Sequence, residues 1–235
     1  MSQDHGGSQT QIDTRARTPL SEQAYEVIRN RILLGSLPAE TKLKIDVLQR
    51  DHQISSSPLR EALNRLVAEN LVIADERRGF RVAPVTAEDL VDLTAARLVV
   101  EPGAFAASMN NGSDRWEARI VAAFHRLSLI EAKIAAGAMK WNEEWTARHK
   151  DFHISLISEC GSERMLGVCG RFFDQSERYR RLSASLRRRP RDTTKEHRQL
   201  MEAALSRDKN GAMLLRKHIQ RTTEHVLQAL RKTRE

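Results

Sequence analysis

Apolar positions in the first third of the chain recur at helical spacing in three short blocks. The first block spans residues 20–33 and ends near Gly35, a residue type that commonly follows a helix C-terminus. The second block spans residues 45–52. A third helix is expected to start within residues 55–58, where a serine N-cap accepts a backbone hydrogen bond and Pro58 is tolerated in the first turn. The pattern therefore predicts three helices in close succession.

Two short apolar runs, at residues 71–74 and 80–82, follow these helices. They flank Asp75-Glu76-Arg77-Arg78-Gly79, a charged turn that ends in glycine, and this pattern predicts a β-hairpin. Short helices followed by a hairpin are typical of a winged helix-turn-helix. In that motif the second helix enters the major groove of DNA, and the hairpin lies along the backbone or the minor groove. The order of the elements therefore indicates a DNA-binding domain.

Beyond Pro84 the apolar residues follow helical patterns alone. A capping sequence at residues 86–89 opens the first of six expected helices, which fall at about 87–110, 114–136, 139–160, 163–183, 192–207 and 209–232. We therefore expect a mainly α chain. A winged helix-turn-helix of three helices and a β-hairpin should occupy residues 18–84, and an all-α, six-helix antiparallel bundle should occupy residues 85–235. Residues 1–17 are polar and aperiodic, and are expected to form a disordered tail.

The composition is that of a globular protein with a basic surface. Hydrophobic residues make up 40% of the 235 residues and charged residues 30%, and no apolar run approaches the roughly 18 residues of a membrane span. The first residues lack the apolar segment of a signal peptide, and the two cysteines do not indicate a disulfide framework. We therefore expect a cytoplasmic protein without a membrane partner. The net charge of +8 favours nucleic acid as a partner, although many basic proteins merely have a solvated basic surface.

The residues expected at double-stranded DNA belong to the start of the third helix and to the tip of the hairpin. Small residues at the helix start allow close approach, and arginines further along reach bases or phosphates. The alternative for Arg60 and Arg65 is an ion pair within the protein. The alternative for Arg77 and Arg78 is that they only make an exposed turn more soluble. The candidate DNA-binding residues are Ser55, Ser56, Ser57, Arg60, Asn64, Arg65, Arg77, Arg78 and Gly79.

Two segments carry a family resemblance. Residues 55–63 read Ser-Ser-Ser-Pro-Leu-Arg-Glu-Ala-Leu, and residues 78–82 read Arg-Gly-Phe-Arg-Val. With them, residues 24–83 resemble the DNA-binding domain of the GntR family of bacterial transcriptional regulators. The resemblance implies that residues 55–63 open the recognition helix. Many members have an arginine that reads a guanine where this chain has Ser56, so its operator is expected to differ from theirs.

Four motifs in the helical part carry a second resemblance: Arg97-x-x-x-Glu101, Asp151-Phe152-His153, Glu196-His197 and His218-Ile219. With them, residues 86–228 resemble the FCD effector domain of the FadR-type branch, and residues 174–180 look closest to carbon-starvation-induced regulators of glutarate metabolism. The resemblance implies a repressor of a catabolic operon that a small organic acid releases. Because one recognition helix covers only a few base pairs, we expect a homodimer on an inverted-repeat operator.

Four histidines are candidate metal ligands. His149 and His153 are four residues apart and share one helix face, while His197 and His218 fall on two later helices. Imidazoles from three helices can converge on a divalent transition metal such as Zn²⁺ or Ni²⁺. Metal-binding FCD domains use three histidines and an aspartate, and here His149 takes the place of that aspartate, so it is either the fourth ligand or a neighbour of the metal. The alternative is a set of histidines without a metal.

Arg97 and Tyr179 are candidate effector-binding residues. The resemblance places Arg97 at a position that often faces the ligand cavity, where a buried arginine can bind a carboxylate through two parallel hydrogen bonds. The alternative for Arg97 is an intrahelical ion pair with Glu101, four residues further on.

Two other functions are alternatives to this interpretation. One is a metal-independent regulator that responds to acyl-CoA, which the histidine set disfavours. The other is a metal-dependent hydrolase, because residues 149–153 superficially resemble the zinc-protease motif. That motif requires a glutamate as general base beside the first histidine, and Lys150 cannot take this role. We therefore expect no enzymatic activity.

Overall fold

A computed structural model of the chain describes residues 18–75, 79–139, 142–185 and 193–231. Within these ranges the elements are α1 (Leu20–Leu33), β1 (Lys42–Leu43), α2 (Ile45–His52), α3 (Ser56–Ala68), β2 (Val72–Asp75), β3 (Gly79–Val82), α4 (Ala87–Asn111), α5 (Asp114–Ala135), α6 (Glu143–Ile157), α7 (Glu163–Ser185), α8 (Thr194–Leu205) and α9 (Gly211–Arg231). The predicted winged helix-turn-helix followed by a helical domain is confirmed. The tail expected at residues 1–17 lies outside the described residues.

The winged domain is built around the packing of α1 on α3. Ile28 of α1 and Leu59, Leu63 and Leu66 of α3 are completely buried. Their helical spacing keeps them on one face of each helix, and burial of that face stabilises both helices. Since α2 also packs against α3, the recognition helix is fixed from one side and exposed on the other.

A three-stranded antiparallel sheet in the order β1-β3-β2 completes the winged domain. Strands β2 and β3 form the predicted hairpin, with Val72 opposite Val82 and Asp75 opposite Gly79. The sequence analysis missed β1, which pairs with β3, because a strand of two residues is too short to show an alternating pattern.

A side chain caps the first turn of α4 and of α6, but not that of α3. Thr86 Oγ1 accepts a hydrogen bond from the backbone N–H of Asp89 at 3.1 Å, which confirms the predicted cap of α4. Ser55 is the N-cap residue of α3, but its exposed side chain accepts no capping hydrogen bond, so that expected contact is wrong. Asn142 accepts from the N–H of Trp145 at 3.0 Å, and this cap makes α6 begin later than expected.

The second domain consists of α4 to α9 within the described residues. Helix α4 lies along α9 and α7, while α5 lies along α6 and α8. Their apolar faces bury large side chains, among them Phe105, Trp116, Leu127 and Phe152. This core fixes the relative positions of α6, α8 and α9, the helices that carry the four histidines. Among the described helices, none combines the length and apolar composition needed to cross a membrane.

Candidate functional site

The recognition helix α3 has one buried and one exposed face. Leu59, Ala62, Leu63 and Leu66 are buried. Five of the predicted DNA contacts are exposed, at its start and along its other face: Ser55, Ser56, Ser57, Arg60 and Asn64. An exposed polar helix face beside a wing is the geometry that enters the major groove. These five residues stay predicted DNA contacts.

Arg65 is engaged inside the winged domain. Its Nη1 donates to Oε2 of Glu22 on α1 at 2.6 Å, and its guanidinium lies 3.9 Å from the centre of the Tyr25 ring. The hydrogen bond with Glu22 raises the pKa of Arg65 above its usual value. A side chain held to α1 does not extend toward a groove of DNA. The structure therefore favours the ion pair, the alternative on sequence grounds, over a DNA contact for Arg65.

Gly79 begins β3 at the end of the hairpin that carries the wing tip. It is exposed and has a φ of +76°, a left-handed conformation that glycine adopts without steric cost. It pairs with Asp75 across the hairpin. Arg77 and Arg78 lie outside the described residues and stay predictions from the sequence.

The four histidines come together in the helical domain. His149 and His153 lie one turn apart on α6, His197 lies on α8, and His218 lies on α9. All four are buried, and each offers a ring nitrogen to a group in which these atoms lie within 4.8 Å of one another. The Nε2 atoms of His149 and His153 are 3.1 Å apart. Helices distant in sequence therefore supply one compact nitrogen cluster.

Two carboxylates orient these histidines from outside the cluster. Nδ1 of His218 is 2.7 Å from Oε2 of Glu196. Nδ1 of His197 is 3.2 Å from Oε1 of Glu131, although poorly aligned for a hydrogen bond. Glu131 in turn accepts hydrogen bonds from two threonine hydroxyls at the start of α8, at 3.1 and 3.0 Å. A carboxylate behind Nδ1 leaves Nε2 facing the cluster, as around metal-bound histidines.

The residues present fit a divalent transition metal. Nδ1 of His149 and both ring nitrogens of His197 are buried without a hydrogen-bond partner among the described residues. Such groups are normally satisfied, and a bound metal ion satisfies one nitrogen of each ligand. An ion with bonds of about 2.0–2.1 Å requires nitrogens no more than about 4.2 Å apart. The most distant nitrogens therefore have to approach each other by at least roughly half an ångström to bind one ion.

Two of the histidines are held in the neutral form. Burial lowers the pKa of His149 and of His153 well below 6.5, and the neighbouring histidines and the charge of Arg180 lower both further. Neutral imidazole is the form that binds a metal. At neutral pH these two side chains therefore have the protonation state that a metal requires.

A cavity of about 970 Å³ adjoins the cluster. His149, His153 and His218 line one part of it, and residues 32–35 and 37–39 of the winged domain line another. A cavity of this size accommodates a small organic ligand. It extends from the histidines to the end of α1 and the loop that follows.

Arg97 lines this cavity, but its charge is paired within α4. Its Nε and Nη2 donate to the two carboxylate oxygens of Glu101 at 2.6 and 3.0 Å, and its Nη1 donates to Oγ of Ser176 at 3.1 Å. The intrahelical ion pair, the alternative on sequence grounds, is therefore present. Glu101 thus accepts from Nε and Nη2 of Arg97, the kind of parallel donor pair that was expected to bind an effector carboxylate.

Tyr179 is not among the cavity-lining residues that the structure describes. It is buried against Leu90, Leu93 and Val226, and its hydroxyl donates to the carboxylate of Asp89. Burial raises the pKa of Tyr179, and the hydrogen bond with Asp89 raises it further. The structure therefore gives no support to the assignment of Tyr179 to effector binding, because its face of α7 packs against α4 and α9.

Sequence reasoning missed the residues of α7 that do line the cavity. Arg180 and Arg181 both approach Glu177, which also accepts a hydrogen bond from Thr146 of α6 at 2.7 Å. The available signal was the basic run at residues 178–181. Consecutive residues of a helix face different directions, so only the packed structure shows which of them meet the cavity.

Helix α7 also contacts the winged domain. The carboxylate of Asp174 accepts hydrogen bonds from Arg29 of α1 and, at 2.7 and 2.9 Å, from Lys150 of α6. Nε2 of Gln175 donates to the backbone carbonyl of Glu69, directly after the recognition helix, at 2.8 Å. One helix thus contacts the ligand cavity, α1 and the end of α3.

A winged helix-turn-helix joined to a helical domain with a ligand-sized cavity defines a DNA-binding transcriptional regulator with an effector-binding domain. Residues 20–82 match the bacterial regulatory proteins of the gntR family, and residues 92–221 match the FCD domain. The chain belongs to the GntR family and carries an FCD domain.

Two relatives support this membership along most of the chain. Over 213 residues, 89% of this chain and 86% of the relative, it is 38% identical to the uncharacterized HTH-type transcriptional regulator BphR of Paraburkholderia xenovorans. Over 218 residues, 91% of this chain and 98% of the relative, it is 34% identical to the HTH-type transcriptional repressor GlaR of Escherichia coli.

Solved structures share the fold. Escherichia coli McbR/YncC matches with a TM-score of 0.74 and 18% identity, over 90% of this chain and 98% of that one. A transcriptional regulator GntR from Rhodococcus sp. RHA1 matches with a TM-score of 0.69 and 20% identity, over 90% of this chain and 99% of that one.

Proposed function

We propose that this regulator is a repressor that carries one divalent transition metal in its FCD domain and leaves its operator when a small organic acid binds beside the metal. The observation that carries the proposal is the buried cluster of four histidines, which borders a ligand-sized cavity. Unpartnered buried nitrogens are costly in a protein without a ligand. The relative GlaR is named a repressor.

The ligands of the ion are His153, His197 and His218, with His149 as the fourth. The His149 ring stacks on Trp145, with ring centres 4.5 Å apart and planes 17° from parallel, and this contact restrains the imidazole beside the cluster. Such a metal supplies positive charge that attracts and orients an acidic ligand group.

The proposed function requires that the regulator binds DNA as a homodimer. A two-fold symmetric protein binds a two-fold symmetric site, and one recognition helix reads only a few base pairs. Footprinting should show one protected site with dyad symmetry. Protection of an asymmetric site by a monomer would contradict the dimer.

The proposed route from cavity to DNA is helix α7. Glu177 of this helix borders the cavity, while Asp174 and Gln175 contact the winged domain. Two conformations that differ in the placement of α7 also differ in the placement of the recognition helix. A ligand that binds one of them more tightly therefore shifts the recognition helix. Only that difference in affinity can drive release from DNA.

Elemental analysis of protein purified without a histidine tag tests the metal. About one divalent ion per chain is expected from the cluster of four histidines. The double variant His197→Ala/His218→Ala should lose the ion. The control His125→Ala replaces an exposed histidine of α5 and should retain it.

The same variants test the response to effector, with DNA selected by the wild-type protein from a random-sequence pool. The double variant should still bind this DNA, because the winged domain contains neither histidine, but a panel of small mono- and dicarboxylic acids should no longer release it. Normal release by metal-free wild-type protein in a chelator would contradict the mechanism and leave the histidines as structural residues.

A further inference from the structure

Two arginines in the cavity wall share one carboxylate. Nε of Arg180 donates to Oε2 of Glu177 at 2.9 Å, and Nε of Arg181 lies 3.5 Å from Oε1 of the same group. The Glu177 and Arg180 side chains are only 2% and 10% exposed, and that of Arg181 is 26% exposed, so two positive charges and one negative charge share a mostly buried part of the wall. A buried charge that lacks a full counter-charge is costly. An anionic ligand at this position would remove that cost.

Two buried donor atoms, one in this pair and one beside it, make no hydrogen bond in the part of the chain that the structure describes. They are Nε of Arg181 and Oγ of Ser183, which belong to residues that line the cavity. The Arg181 guanidinium is otherwise held by a hydrogen bond from its Nη2 to Thr146 Oγ1 at 3.2 Å. Ser183 is 2% exposed. Since buried polar groups normally have a partner, both donors indicate a ligand with acceptor atoms.

Of the other described arginines that line the cavity, Arg97 has a full counter-charge, because it makes a bidentate pair with Glu101. Arg178 donates to the backbone carbonyl of the residue after β3. Arg180 and Arg181 differ from Arg97 because they share the single charge of Glu177.

This charged group lies near the histidines. Arg180, Arg181 and His149 line the same cavity. Both groups also contact the Phe173 ring, whose centre lies 4.4 Å from the guanidinium carbon of Arg180 and 5.2 Å from the centre of the His149 ring. One small molecule can therefore reach both groups.

We infer that Arg180, Arg181 and Ser183 form a second anion subsite, and that the effector is an acid with two anionic groups, one at the histidine cluster and one at this subsite. The first half of the inference rests on the arginine and serine geometry alone. The second half rests on the proposed function, because it places one anionic group at the histidine cluster.

Inorganic phosphate tests the second subsite in chelator-treated protein. Phosphate should raise the melting temperature of the wild type, and Arg181→Gln should weaken phosphate binding by about tenfold or more, because it removes a charge-assisted hydrogen bond. Ser183→Ala should also weaken binding, yet leave the stability of the ligand-free protein unchanged or higher, because it removes an unpartnered hydroxyl. The control Arg171→Gln, at an exposed arginine of the same helix, should behave like the wild type.

The affinities of metal-loaded protein for linear dicarboxylic acids and for their half-amides test whether the effector needs two anionic groups. For the best chain length, the wild type should bind the diacid about tenfold or more tightly than the half-amide. Arg181→Gln should abolish this difference and leave the affinity for the half-amide unchanged.

Phosphate binding that does not depend on Arg181, or equal affinity for diacid and half-amide, would overturn the inference. Absence of metal from the wild-type protein would instead contradict the proposed function, and the phosphate result would be unaffected. The two failures are therefore distinguishable.

Discussion

Asp174→Asn tests whether α7 holds the winged domain against the FCD domain. Asp174 is buried and accepts hydrogen bonds from Arg29 on the winged domain and from Lys150 on α6. Asparagine keeps the shape of the side chain but removes its charge. Both cations then lose their shared counter-charge, and the contact between the domains weakens.

The expected magnitude follows from the burial of the three side chains. Asp174 is 11% exposed, Arg29 is 19% exposed and Lys150 is 34% exposed. Breaking a fully buried pair costs about 3–5 kcal/mol, whereas an exposed pair contributes about 0–1 kcal/mol. Because Lys150 remains screened by solvent, we expect a loss of about 1–2 kcal/mol. A loss of about 1.4 kcal/mol is a tenfold change in an equilibrium constant.

Hydrogen exchange of α1 measures this loss, because complete opening of α1 has to break its contact with α7. Amides of α1 should exchange roughly tenfold faster in Asp174→Asn than in the wild type. The control is Asp151→Asn, which removes an ion pair with Arg126 that is half exposed and lies within the FCD domain. Unchanged exchange of α1 in Asp174→Asn, or equal acceleration in the control, would refute the role of α7 in holding the domains together.

Further predictions concern the recognition helix and pH. Arg60→Ala should lower specific operator affinity about ten- to a hundredfold, measured by fluorescence anisotropy, whereas Arg65→Ala should mainly lower the melting temperature by losing its contact with α1. Equal effects on operator affinity would contradict this distinction. Chelator-treated protein should lose stability as pH falls below about 6.5, because the unfolded chain takes up protons that buried His149 and His153, with lowered pKa values, do not. Urea unfolding at neutral and acid pH measures this, and a flat profile would contradict it.

The local spacing of apolar residues along the sequence was sufficient to predict the helices and the winged motif, because this periodicity decides which face of each helix is apolar. It indicated α2 at residues 45–52, where the structure has Ile45–His52, and it indicated six helices after the hairpin. It also put His149 and His153 on one helix face, whereas His197 and His218 were singled out by the motifs of the FCD resemblance. What local spacing missed was β1, too short to show a period.

The tertiary structure alone decided which partner each charged side chain has. Arg65 and Arg97 are paired within the protein, whereas Arg180 and Arg181 share Glu177 at the cavity. The helical pattern places a residue on a face, but the neighbour of that face comes from a helix far away in sequence. Distances through space therefore decide whether an arginine stabilises the fold or meets a ligand, and no local pattern contains those distances.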